Sequence, residues 1–129
     1  MAIQLNHTIV HSNDKRLAAE FFVDLFGLPA PTPFGPFLDV DLGNKVTLAF
    51  LDADGMEVQM QHYAFLVSEE EFDQMFGRIQ QKGLKYWADP HREQQGRINR
   101  HDGGRGLYFQ DPSGHLLEII TRPYGSGSS

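Results

Sequence analysis

Apolar and polar positions along the chain follow one plan twice. Residues 3–10 read as a strand, with Leu5, His7 and Ile9 sharing one face at the two-residue period. Ser12-Asn13-Asp14 then offers helix caps, and Leu17, Phe21 and Leu25 recur at helical spacing until Gly27 stops the run. Pro29, Pro31, Pro33, Gly35 and Pro36 form a stiff loop, because proline lacks the amide that a helix interior needs. Two strands follow, roughly 37–42 and 45–52, with Gly43-Asn44 as a two-residue hairpin between them. Asp52-Ala53-Asp54-Gly55 turns the chain into its second half. There residues 58–67 predict a strand, with His62, Ala64 and Leu66 on one face. Ser68 and Glu71 make a capping box, and Phe72, Met75, Phe76 and Ile79 form the buried stripe of a helix that ends at Gly83. A strand near 84–88 leads into a polar loop from His91 to Arg105. The last two strands, 106–110 and 115–122, are joined by Asp111-Pro112-Ser113-Gly114, a type I turn sequence.

The predicted order is strand-helix-strand-strand-strand, repeated. It describes a single domain, residues 1–124, made of two βαβββ modules at about 1–55 and 56–124. Short connections favour an antiparallel-rich α+β protein over a doubly wound parallel sheet. Gly125-Ser126-Gly127-Ser128-Ser129 reads as a flexible tail, native or appended. A chain of 129 residues is long enough to bury a core without staples. It contains no cysteine, which excludes disulfides, thiolate metal sites and a cysteine nucleophile. A net charge of −6 argues against a nucleic-acid backbone as partner. No apolar run approaches the ~20 residues that span a bilayer, so the expectation is a soluble cytoplasmic protein with no membrane partner.

The repeat carries a histidine in each copy. His7 and His62 stand near the start of equivalent strands, which places two metal-capable imidazoles at related positions. One histidine on an apolar strand is more often a hydrogen-bonded core residue, but two seldom fall at matching repeat positions. Glu118 is the third member. It lies within Leu116-Leu117-Glu118-Ile119-Ile120, where an unpaired carboxylate would be costly and a cation is needed. Two histidines and one carboxylate on different strands form the set expected of a three-ligand metal site with open positions. The other histidines read differently: His11 as surface, His115 as structural at its turn, His91 and His101 as solvated loop residues, with substrate contact the minor reading.

The segments Leu5-Asn6-His7-Thr8-Ile9, Gln61-His62-Tyr63-Ala64-Phe65 and Leu107-Tyr108-Phe109-Gln110-Asp111-Pro112-Ser113-Gly114-His115-Leu116-Leu117-Glu118-Ile119 resemble the vicinal oxygen chelate superfamily. That group includes glyoxalase I, extradiol ring-cleaving dioxygenases, fosfomycin-resistance enzymes and bleomycin-binding proteins. The resemblance spans roughly residues 3–122. It implies a glyoxalase-like fold in which paired βαβββ modules form curved mixed sheets around one divalent metal ion held by His7, His62 and Glu118. Fe2+ or Mn2+ is favoured, with Ni2+, Co2+ or Zn2+ as alternatives. It also implies a homodimer, in which each site can draw His7 from one chain and His62 with Glu118 from the other.

The resemblance bears on the reaction as well. Glyoxalase I adds a fourth ligand on the last strand of the first module, where this chain has only Val46-Thr47-Leu48-Ala49-Phe50. A three-ligand set matches the dioxygenase or fosfomycin-enzyme pattern better. Tyr108 matches an active-site tyrosine of both groups, and two strands joined by a tight turn bring it across from or near Glu118. The packed-aromatic alternative for Tyr108 stands beside that reading. The threonine that follows the first histidine by two in fosfomycin enzymes is Ile9 here, and the second histidine of the dioxygenases has no counterpart unless His101 supplies it. Arg105 and Arg122 are candidate anchors for an anionic substrate. The proline-rich segment 29–36 and the loop 91–105 are expected to rim the pocket, with Phe34, Phe37, Phe50 and Trp87 as candidate walls. The leading expectation is an enzyme performing extradiol-dioxygenase-like chemistry on a small oxygenated substrate chelated to the metal. The alternatives are fosfomycin-type epoxide opening, a glyoxalase-like isomerase or lyase, or a non-catalytic antibiotic-binding protein.

Overall fold

The computed structural model describes residues 2–127. They divide into two compact units, with the boundary between Gln59 and Met60, close to the expected module junction. In the first unit β1 (His7–Ser12) is followed by α1 (Lys15–Phe26), β2 (Thr32–Phe34), β3 (Phe37–Asp41) and β4 (Thr47–Asp52). In the second, β5 (His62–Leu66) precedes α2 (Glu69–Gln81), β6 (Tyr86–Trp87), β7 (Gly106–Gln110) and β8 (Leu116–Ile120). Each unit holds a four-stranded sheet of the same order, β1-β4-β3-β2 and β5-β8-β7-β6. The first strand of each pairs parallel with the last, and the remaining pairs are antiparallel. The duplicated α+β plan therefore holds at the level of sheet topology.

Both histidine-bearing strands are shorter than the apolar pattern predicts. β1 begins at His7, where its register with Thr47 begins, and β5 begins at His62, opposite Leu116. A strand extends only as far as its ladder partner does. Here β4 emerges from the 42–46 turn and β8 from the 111–115 turn. The first turn is wider than a two-residue hairpin. Asp41 Oδ1 accepts the Gly43 amide at 2.8 Å, and Leu42 N donates to Val46 O at 3.0 Å. The proline-rich loop contains a strand that its composition concealed. β2 lies at the sheet edge, where Pro33, opposite Leu38, has no ladder amide to lose.

Helix α1 starts where expected, with Asp14 accepting the amides of Arg16 and Leu17, and ends at Gly27 with φ 70°. Its buried face differs from the predicted stripe. Ala18, Ala19, Phe22, Val23 and Leu25 are buried, whereas Leu17 is 56% exposed. Lys15 N donates to Asp52 Oδ1 at 2.8 Å, which anchors the helix start to the end of β4. The two alanines form part of the buried face, where small side chains allow close approach, and Phe22 lies 6.0 Å from Phe50. In the second unit the Ser68–Glu71 capping box forms in both directions. Phe72, Met75 and Ile79 are buried, and Phe76 meets Tyr86 edge-on at 5.2 Å.

Ser12, at the end of β1, is fully buried, and its hydroxyl has no hydrogen-bond partner among the described residues. A desolvated hydroxyl of this kind costs about 1–3 kcal/mol. Ser12→Ala is accordingly expected to raise unfolding stability by about 1 kcal/mol in chemical denaturation. An unchanged or lowered midpoint would show that the hydroxyl is satisfied in solution.

The chain end also departs from expectation. Gly125 and Gly127 donate their amides to the Asp102 carboxylate at 3.1 and 3.4 Å, so residues 125–127 lie folded against the 3-10 turn His101–Gly103. The remainder of the predicted flexible tail, Ser128 and Ser129, lies outside the described residues.

Candidate metal centre

The second unit assembles its polar centre through strand alternation. Along β8, Leu117 and Ile119 point to one side of the sheet, and Leu116, Glu118 and Ile120 to the other. Tyr108 on β7 stands directly opposite Glu118, and Ala64 on β5 lies alongside it. His62, two residues before Ala64, therefore shares the Glu118 face. The Glu118 side chain is 1% exposed, and its Oε1 lies 2.9 Å from His62 Nε2. Its second oxygen, Oε2, accepts the hydroxyl of Tyr124, and the Tyr124 oxygen lies 3.1 Å from the Tyr108 hydroxyl. The rings of His62 and Tyr108 are 5.8 Å apart. Burial, reinforced by the Glu118 charge, pushes the Tyr108 phenol above its ordinary value against an opposing pull from the Tyr124 hydrogen bond. Burial and the bond to Glu118 push Tyr124 upward as well. Both phenols therefore remain proton donors at neutral pH.

His7 lies in the first unit, beside Thr47 in the β1–β4 ladder. Its Nδ1 is 2.7 Å from Asn6 Oδ1. Because an amide oxygen only accepts, Nδ1 carries the proton and Nε2 keeps a lone pair for a ligand. His7 also lines an open cleft of about 310 Å³ within that unit, together with Asn6, Ile9, Phe34, Phe37 and Asp39. Of the expected aromatic walls, Phe34 and Phe37 line this cleft, whereas Phe50 is buried in the core and Trp87 belongs to the second unit.

The candidate substrate anchors fare unequally. Arg105 is committed elsewhere: Nε donates to Glu69 Oε1 at 2.8 Å, Nη1 meets Asp73 Oδ1 at 2.8 Å, and the guanidinium lies 4.4 Å over the Phe72 ring. It fastens β7 to α2 and has little left for a substrate anion. Arg122 donates to Ser126 O at 3.3 Å and so braces the chain end. His101 lies closer to the centre, its ring 6.2 Å from that of Tyr124. His115 is structural as expected, buried and accepting the Gln61 amide at 3.0 Å. Tyr124 escaped the sequence reading. Its only local signal is an aromatic after Pro123 with no apolar pattern around it, and its position depends on the distant Asp102. Asp39 was missed as well, since one acidic residue in a strand carries no signal until the cleft is seen.

Residues 4–119 match the family model described as the Glyoxalase/Bleomycin resistance protein/Dioxygenase superfamily. The chain belongs to that superfamily. Among solved structures, the oxidase ChaP-H2 is 55% identical, covers 99% of this chain and 100% of its own, and superposes with a TM-score of 0.95. The oxidase ChaP-H1 is likewise 55% identical, with 96% and 99% covered and a TM-score of 0.93. A glutathione transferase, FosA of Serratia marcescens, is 29% identical over 124 residues, which span 92% of this chain and 81% of the relative. These relatives carry the names of enzymes, and this chain is an enzyme of that superfamily.

The residues present fit a divalent cation by their chemistry: the imidazole nitrogen of His62 and the carboxylate oxygen of Glu118, both donor types such an ion takes, stand within hydrogen-bond distance of each other at 2.9 Å. Glu118, buried in an apolar strand, offers the negative charge that a cation would neutralise. Among the described residues neither unit gathers three His, Asp or Glu side chains by itself, so the second unit's pair calls for a further donor.

Proposed function

We propose that the protein is a metal-dependent, oxygen-consuming enzyme acting on a small aromatic substrate with two neighbouring oxygens. His7, His62 and Glu118 would hold one divalent ion, Fe2+ or Mn2+ by preference for a nitrogen–oxygen donor set with open positions. The observation that carries this reading is the pairing of His62 with a fully buried Glu118 directly opposite the Tyr108 hydroxyl. The oxidase names of ChaP-H2 and ChaP-H1, both matched over nearly the full length of each chain, support oxygen chemistry over thiol addition. When bound, the ion supplies Lewis-acid polarisation of the two chelated substrate oxygens.

The protein's own residues do the rest. Phe34 and Phe37 line the cleft beside His7 and offer flat apolar surface to a ring. Asp39 lines the same cleft and can accept a substrate hydroxyl proton. Tyr108, a donor at neutral pH, can hold or deliver a proton at a substrate oxygen next to Glu118. The sheet-edge strands β1 and β5 carry His7 and His62, and exposed apolar residues lie on or near them: Ile3, Leu5, Met60 and Leu66. A second copy of the chain is the natural cover, with each chain giving His7 to its partner's His62 and Glu118.

A complementation experiment tests ligand set and sharing together. His7→Ala and Glu118→Ala proteins, each loaded anaerobically with Fe2+, are expected to show no oxygen uptake with a panel of catechols. After co-refolding, the mixed dimer regains about one working site of two. Absence of recovery, with each variant folded and dimeric, would count against a shared site. Oxygen uptake by either single variant at the wild-type rate would sink the ligand assignment. Turnover of fosfomycin and a thiol, without oxygen uptake, would favour the transferase chemistry of the FosA relative instead.

A further inference from the structure

The C-terminal segment, residues 122–127, lies directly on the Glu118 carboxylate. Tyr124 reaches Oε2 with its hydroxyl, leaving Oε1 to face His62 Nε2. An ionised carboxylate only accepts hydrogen bonds, so the Tyr124 proton points to Glu118 and the Tyr124 oxygen receives the Tyr108 proton. The order is Tyr108 to Tyr124 to Glu118.

What holds Tyr124 there is remote from the site. Asp102 has φ 57° in the turn His101–Gly103, and its two carboxylate oxygens take the amides of Gly125 and Gly127. A Cβ on Gly127 would collide with the Asp102 carbonyl oxygen, so the segment is seated with no room for a side chain at that point. Arg122 closes the bend from the other side by donating to Ser126 O. The clasp begins at Gly125, the residue that directly follows Tyr124. The geometry points to a positioning device.

Resting on the metal reading above, we infer that Tyr124, clasped by Asp102, holds Glu118 as a one-oxygen ligand. With Oε2 turned to the phenol, Oε1 is the carboxylate oxygen that faces His62. A second carboxylate oxygen on the ion would consume a coordination position that a chelating substrate needs. Tyr124 is thus an outer partner of a metal ligand, of the kind whose loss ordinarily weakens metal affinity by about 10–100-fold.

The test compares wild-type protein with Tyr124→Phe and Asp102→Ala, using Mn2+ for affinity and Co2+ for its visible absorption spectrum. Tyr124→Phe is expected to bind Mn2+ about 10–100-fold more weakly and to change the Co2+ band intensities as the carboxylate loses its fixed orientation. Asp102→Ala is expected to move both readouts in the same direction by less. In the metal-free protein it also speeds hydrogen exchange at the Gly125 and Gly127 amides. A structural role alone would move stability but leave the Co2+ spectrum unchanged. Wild-type affinity and spectrum in both variants would overturn the positioning role while leaving the metal reading intact. Tighter Mn2+ binding by Tyr124→Phe would overturn it too, since the phenol would then be competing with the ion. A wild-type protein that takes up neither ion overturns the metal reading, and the positioning role with it.

Discussion

Glu118→Gln is expected to abolish stoichiometric ion uptake and, with it, oxygen consumption. The substitution keeps the shape of the side chain in its buried slot beside His62 and Tyr124 but removes the negative charge there. Loss of a directly bound ligand exceeds the loss of an outer partner, so Mn2+ affinity falls by more than about 100-fold. Stability without metal follows a different course. Folding the wild type buries a carboxylate, compensated by His62, which is 46% exposed, and by the Tyr124 hydroxyl. Glutamine removes the cost of burying that charge, and the half-exposed His62 is left facing solvent rather than as a buried unpaired group. Metal-free Glu118→Gln is therefore expected to unfold at the wild-type temperature or above it. Adding ion at 100 times its dissociation constant raises wild-type stability by about 2.7 kcal/mol and leaves the variant unmoved. Thermal unfolding with and without Mn2+ reads both effects. An equal ion-induced rise in the two proteins would remove Glu118 from the site.

What could be read from the sequence was whatever local chemistry determines. The Ser68–Glu71 capping box and the Asp111–Gly114 turn are built from neighbours. Asp111 Oδ1 collects the amides of Ser113 and His115, and the Gly114 amide donates to the Asp111 carbonyl. That tight turn fixes the β7–β8 register, so Tyr108 opposite Glu118 followed from counting outward from it. Where partners are remote, the pattern misled. The outer ends of β1 and β5 look like strand, but β4 and β8 are not there to pair with them. On α1 the predicted Leu25 is buried, but Leu17 is exposed and the burial of Ala18 and Ala19 went unread because they carry little apolar weight. Thr32–Phe34 was hidden by prolines that an edge position tolerates. Tyr124 was invisible because its role depends on Asp102, far back in the chain. The duplicated histidines were read correctly as a pair of strand positions, yet they differ in setting: His62 faces a carboxylate, while His7 lines an open cleft with aromatic walls. Duplication copied the strand and its imidazole, and each unit then surrounded it differently.

Tyr108→Phe separates proton handling from metal binding. The ring is buried, and phenylalanine keeps its packing near His62, so the variant is expected to fold and to bind Mn2+ within a few-fold of wild type. Losing its hydrogen bond to Tyr124 costs about 1 kcal/mol of stability. The larger effect falls on turnover. The Tyr108 hydroxyl sits on the strand position opposite Glu118, and burial with the Glu118 charge keeps it protonated at neutral pH. A donor so placed contributes where charge develops on a substrate oxygen, and loss of a positioned proton donor ordinarily lowers rate by about 10²–10⁴-fold. The expected signature is therefore a fall of that order in kcat, with ion affinity nearly unchanged, measured on whichever catechol the wild type consumes. Tyr124→Phe should show the converse: weaker ion binding, and a rate that recovers when the ion is supplied in excess. A Tyr108→Phe protein with wild-type kcat would reduce that residue to a packed aromatic and leave Asp39 as the proton-handling group to test next.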